Sequence, residues 1–139
     1  MSAVALDDLL TTLDFVSGAP MENRAYVCRD TGRVYWKSDI VDVVEEPPPD
    51  LNTSDRYVAI PTKQEMGLGR DLALRFAREA LPGSVEAVYG FFRRRGAYAR
   101  FKQLLEREDA LEKWYAFENA AVEERLVEWC REHGIDVVK

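Results

Sequence analysis

Five cations stand close together in the middle of the chain: Arg93, Arg94, Arg95, Arg100 and Lys102, interleaved with Phe92, Tyr98 and Phe101. Guanidinium groups take phosphates and carboxylates bidentately. Aromatic rings stack on bases, so this mixture is the one that single-strand nucleic-acid binders use. A structural explanation competes with it. Arg93 to Arg95 fall where a helix should end, and the helix dipole favours positive charge there by about 0.3–1 kcal/mol each. Tyr98 and Phe101 fall on the apolar side of the next helix, where a core would take them. The acidic helix that follows could pair with the arginines. A structural or protein-contact role therefore ranks first, nucleic-acid binding second and a small anionic ligand third.

Glu118 is the next candidate, with Arg125 seven residues on. Both fall near the apolar stripe of a long helix, beside Tyr115 and Val122. A buried carboxylate there could act as a general base after its pKa is raised. The plainer reading is a residue at the stripe's edge that pairs with a neighbouring arginine. His133 is the one side chain with an ordinary pKa near neutrality, but it sits in the last turn of a helix with no assignable nucleophile. The triplet Asp30-Thr31-Gly32 also occurs in aspartic proteases. Here it lies between two strand-like runs, where Asp and Gly are turn chemistry.

No phosphate-binding loop, dinucleotide fingerprint, zinc-protease helix, calcium loop or nucleophile elbow is present. Gly67 and Gly69 leave a GxG fragment without its third glycine. Cys28 and Cys130 form no CxxC pair, and His133 cannot complete a usual zinc set with them. They read as buried thiols of a reducing compartment, with a disulfide as the alternative. No metal, cofactor or catalytic residue is expected, and a small enzyme would rest on Glu118 or on an acidic pair of the N-terminal region.

The elements that must hold these residues fit within 139 residues, the size of one domain. The composition, 47% hydrophobic and 32% charged, excludes a disordered chain. The net charge of −6 is unevenly placed, with acidic flanks around a basic middle. That argues against general nucleic-acid coating and leaves room for one local basic patch. No window approaches the roughly 20 apolar residues of a membrane span. Asp7, Asp8 and Asp14 break the first apolar stretch, which has no basic leader. A cytoplasmic protein is expected.

Ser2 is placed to cap a first helix carrying Leu6, Leu9, Leu10 and Leu13, ending near Phe15. Ala25–Cys28 and Arg33–Lys37 read as a hairpin about the Asp30-Thr31-Gly32 turn. Residues 43–55, with Glu45-Glu46-Pro47-Pro48-Pro49-Asp50, read as an extended surface loop. Arg56–Ile60 is a third strand. Thr62 and Glu65 have capping-box spacing and predict a helix that stops at Pro82-Gly83. Ser84 opens another, ending by Gly96. Ala97–Arg107 is a further helix with Tyr98, Phe101, Leu104 and Leu105 on one side. Asp109 is placed to cap the last and longest helix, which ends at Gly134. Ile135–Val138 is a short tail that could form an extra strand or plug the core. The expected fold class is α+β: an N-terminal helix, a small antiparallel sheet of about three strands, then about four helices, in a single domain over 1–139.

Several blocks, in this order, resemble a known family: LDDLL, YVCRDTG followed by VYW, RYVAIP, GAYARFKQLL, WYAF and RLVEWCREHGID. Together they resemble the bacterial group catalogued as uncharacterised protein family 0158, over roughly Leu6 to Asp136. GAYARFK followed by WYAF is the most specific part. The segment Met66 to Gly69 departs from the family pattern, with Gly where bulkier helical residues are expected. The resemblance implies one α+β domain of a bacterial soluble protein and carries over no activity, cofactor or site residue. The functional expectation is a non-catalytic binding or regulatory module. Its partner would be another protein or a second copy of the chain, contacted through the aromatic-rich helical half. Single-strand nucleic-acid binding through Arg93–Lys102 and a small enzyme are the alternatives.

Overall fold

The computed structural model describes residues 3–42 and 47–139. Ser2 and the Val43–Glu46 part of the acidic proline loop lie outside the described residues. The fold is α+β and its residues group into two compact units, Met1–Met66 with Glu123–Lys139, and Gly67–Val122.

In the first unit, β1 (Ala3–Ala5) leads directly into α1 (Leu6–Gly18). Leu6, Leu9, Leu13 and Val16 recur at three-to-four spacing and all are buried. The helix N-cap is Ala5, which offers no side-chain bond, so the expected start at Ser2 is corrected to Leu6. Asp7 and Asp8 meet the positive end of the dipole instead. The helix also runs past Phe15, because Val16 still has core to fill. It stops where Pro20 pushes Ala19 out of helical geometry.

The antiparallel sheet has the order β3-β2-β4, with β2 (Asn23–Cys28) central, β3 (Val34–Ser38) on one side and β4 (Tyr57–Ala59) on the other. Tyr26 lies opposite both Tyr35 and Ala59. The hairpin expected from sequence is therefore present, as is the third strand. Its turn closes with the Gly32 N–H donating to the Cys28 carbonyl at 2.8 Å. Gly32 has φ +74°, and a Cβ there would lie 2.7 Å from the carbonyl of Ala3. α1 is fixed to the hairpin by polar and stacked contacts. Trp36 Nε1 donates to Thr12 Oγ1 at 2.9 Å. The rings of Phe15 and Trp36 stack with centroids 4.2 Å apart. Asn23, itself buried, donates to the Phe15 carbonyl at 3.1 Å and accepts from Ser38 at 2.6 Å.

The C-terminal tail forms β5 (Asp136–Val138), which pairs in parallel with β1. Of the two roles open to the tail, the strand is the one realised. β1 itself, placed inside the first helix by sequence, is a correction. Three residues carry no readable period, and the partner strand lies at the far end of the chain.

Thr62 and Glu65 make both capping-box bonds, each 3.2 Å long. They open a single turn and not the expected helix. Gly67 takes φ +73° and ends the turn. The second unit then starts with α2 (Arg70–Ala80), which buries Leu72, Ala73, Leu74, Phe76 and Ala77. A 3-10 turn at Pro82–Ser84 precedes α3 (Val85–Phe91), where Ser84 stands at the N-cap without a side-chain bond. α4 (Ala97–Arg107) has the bounds expected of it and buries Phe101, Leu104 and Leu105.

The last helix, α5 (Leu111–Glu132), is not capped by Asp109. Asp109 has φ 54°. Ala110 N–H bonds back to the Leu105 carbonyl at 2.8 Å, and Asp109 N–H to Glu106 at 3.3 Å. Asp109 thus terminates α4 in a Schellman motif instead of starting α5, because the turn leaves only three residues for the reversal. Gly134 ends α5 by the same motif at φ +68°, with Ile135 N–H on the Cys130 carbonyl at 2.8 Å.

Candidate functional site

The helical unit is held together by rings. Phe76 packs against Trp114 at 5.4 Å and Phe117 at 5.3 Å, and Phe101 meets Trp114 edge-on at 5.0 Å. From Phe101 the chain of rings runs outward through Phe92 (6.1 Å) to Tyr98, which stands edge-on to Phe92 at 5.1 Å and 87°. Phe101 is core as expected. Tyr98 is not: it is 49% exposed. It lies at the flank of the buried stripe, about 20° round the helix from Leu105 at 100° per residue, where its neighbours cover only part of the ring.

Tyr98 and Lys102 are four residues apart and share one side of α4. Facing them across the α4–α5 seam stand Glu118 and Tyr115. The Lys102 ammonium lies 5.9 Å from the centroid of the Tyr115 ring, within cation–π range. Tyr115, which the helical spacing assigned to the core, is 40% exposed. Partial burial raises the Tyr98 phenol above its ordinary pKa, and the Glu118 carboxylate adds to the effect. The phenol therefore stays protonated and able to donate. The Tyr115 hydroxyl raises the Lys102 ammonium, which stays charged.

Arg93, Arg94 and Arg95 are all exposed, in the turn between Phe91 and Ala97. The structure moves them past the helix end where the sequence reading placed them, since α3 already stops at Phe91. Arg100 is exposed too. Among the described residues, Arg93, Arg94, Arg95 and Arg100 take part in no ion pair, so the expected pairing with the acidic helix is not made. The five cations share exposure but not one face. Arg100 and Lys102, two residues apart, point about 160° away from each other around α4. The structure brings Lys102 to Tyr115 and Tyr98 to Glu118, leaves the arginine turn just ahead of α4 in the chain, and sets Arg100 apart.

The remaining candidates have local partners. Glu118 is half-buried on α5 beside Tyr98. Arg125 bonds Glu132 at 2.9 Å along the same helix. His133 packs on the Trp129 ring, centroids 5.1 Å apart, in the turn that ends α5. Asp30 pairs with Arg56 at 3.0 Å, and Thr31 Oγ1 accepts from Arg33 N–H at 3.2 Å, so the Asp-Thr-Gly triplet is a turn. Cys28 and Cys130 are both buried free thiols. Burial pushes the Cys130 thiol up to about 11. Among the described residues, no group of three or more His, Cys, Asp or Glu side chains could hold a metal ion, and no helix is long and apolar enough to cross a membrane.

A cleft of about 280 Å³ opens in the first unit, which the sequence reading missed. Val16, Ala25, Ile60, Pro20 and Pro61 form its apolar part, with Arg24 and Glu65 among the polar residues. Its walls come from α1, β2 and the segment after β4, so no single stretch of sequence could signal it. Glu118 does not line it. Comparison of the chain with family models, curated proteins and solved structures gives no match.

Proposed function

We propose that this chain is a non-catalytic binding module whose helical unit docks an acidic surface of a partner protein. The observation that carries the reading is Tyr98: a large ring, 49% exposed, yet held edge-on by Phe92. A fixed aromatic loses little conformational freedom on binding, and Tyr and Arg dominate interface hot spots. Lys102 and the exposed Arg93–Arg95 turn would supply attraction and orientation for carboxylates. Arg100 plays a minor part because it faces away from this seam. The order of the sequence blocks supports membership of the bacterial family 0158 as part of this reading. Two buried free thiols support a reducing, cytoplasmic setting.

Single-strand nucleic-acid binding is the second reading, favoured by exposed rings beside cations. Arg100 points away from Lys102 and the Phe101 ring is buried, which divides the run of cations and rings that a strand would track and weighs against it. Fluorescence anisotropy with two labelled probes separates the two. One is a Glu- and Asp-rich peptide carrying Phe and Leu, the other a single-stranded oligonucleotide of equal charge. The peptide binds saturably and less tightly as salt rises. Tyr98→Ala weakens it by about tenfold or more, while Arg100→Ala changes it by less than about threefold. Binding of the oligonucleotide alone, or of neither probe, overturns the protein-docking reading.

A further inference from the structure

Three apolar side chains of the first unit stand well out from its surface: Met21 at 83%, Ile40 at 61% and Val41 at 52% exposed. They fall at one end of the β2–β3 hairpin. The Asp39 N–H donates to the Glu22 carbonyl at 3.0 Å, and one step beyond that bond the two chains reach Met21 and Ile40. Pro20, next to Met21, is a wall of the 280 Å³ cleft, which continues along β2 through Asn23, Arg24 and Ala25. The cleft opens where β2 parts from β4: pairing ends at Tyr26–Ala59, the Ile60 N–H donates to the Ala25 carbonyl at 2.9 Å, and the chain continues into Pro61. An apolar projection and a recess that mixes apolar walls with polar residues such as Arg24 and Glu65 therefore adjoin on one surface.

A projection beside a recess is the arrangement that satisfies itself under a two-fold axis, where the same patch of both copies meets. We propose that this end of the sheet is a self-association surface, on which a second copy of the chain seats its Met21 turn in the cleft and receives the first copy's turn in return. The charges at the rim fit that arrangement. Arg24 lines the cleft and Asp39 precedes Ile40. They pair loosely within one copy, at 3.4 Å, with both side chains about half exposed (47% and 58%). Across the two-fold, each can take the other copy's partner. This surface lies in a different unit from Tyr98 and does not depend on the docking of an acidic partner.

The sign of the salt dependence follows from charge. The first unit holds seventeen Asp and Glu against nine Lys and Arg, so two such units repel and screening brings them together. Sedimentation velocity of the full chain over a range of concentration and salt tests the proposal. Expected is a dimer that tightens as salt rises. Its dissociation constant increases by about tenfold or more in Met21→Glu and, on the recess side, in Ala59→Arg. Tyr98→Ala leaves it unchanged. Both altered positions are exposed or lie on the cleft wall, and circular dichroism checks that the variants keep the fold. A monomer at all concentrations overturns the proposal. So does a dimer indifferent to both substitutions. A dimer that loosens with salt and is broken by Arg94→Glu also overturns it, because copies would then associate through the arginine turn.

Discussion

Gly32 stands where any other residue type would be strained. Its φ of +74° is strained for any L side chain, and a Cβ would press on the Ala3 carbonyl at 2.7 Å, where the hairpin turn backs onto β1. Gly32→Ala should lower stability by about 1–3 kcal/mol, measured by urea unfolding. Cys130 gives a second prediction at this scale. Its thiol is buried and raised to about 11. In the unfolded chain a thiol ionises near about 8.5. The stability linked to the protonated thiol is therefore complete below about pH 8.5 and is lost as pH rises towards 11. Cys130 should stay silent to a thiol reagent at pH 8 in the native protein and react at the rate of unfolding. The Tyr98 ring shows what sequence cannot carry at this scale. Its spacing with Phe101 and Leu105 is that of a core residue. Only the position of neighbouring elements decides that Phe101 is covered and Tyr98 is left standing on its edge.

Between elements, Asp109 carries an N-cap signal for α5 that the fold does not use. Asp before an apolar periodic run is a good N-cap signal. Here the same residue holds φ 54° and closes α4. A glycine suits that conformation better than any other residue. Asp109→Gly should be more stable than Asp109→Ala by about 1 kcal/mol in thermal unfolding; both remove the carboxylate, so the difference isolates the backbone. An equal pair would mean that the motif adds nothing. Where a segment is long or has a Gly-centred turn, the sequence sufficed. α4 keeps its expected bounds, Gly134 ends α5, and the hairpin forms about Asp30-Thr31-Gly32. It failed where a short segment depends on a distant partner. β1 forms because β5 lies beside it, and the Thr62–Glu65 box yields one turn because Gly67 reverses the chain.

On the scale of the whole molecule, charge is divided between the units. The first carries a net −8 and the helical one +2, from ten Lys and Arg against eight Asp and Glu. That division gives the two proposed surfaces opposite responses to salt: an acidic partner leaves the Tyr98 surface as salt rises, whereas the hairpin-end association tightens. The basic middle of the chain was legible from sequence. Its partition was not, because the about 160° between Arg100 and Lys102 has meaning only once α4 is a helix with a buried side. The cleft, assembled from α1, β2 and the segment after β4, belongs to this scale as well.

The proposed docking surface is the Tyr98, Lys102 and Tyr115 seam and not the whole basic segment. Titration of the isotope-labelled chain with the acidic peptide, followed by amide chemical shifts, tests it most directly. Shifts should concentrate at Arg93–Arg95, Tyr98, Lys102 and Tyr115, with Arg100 and Arg107 changing little. Shifts centred on Arg100 and Arg107, or confined to the unit that contains the sheet, would contradict it.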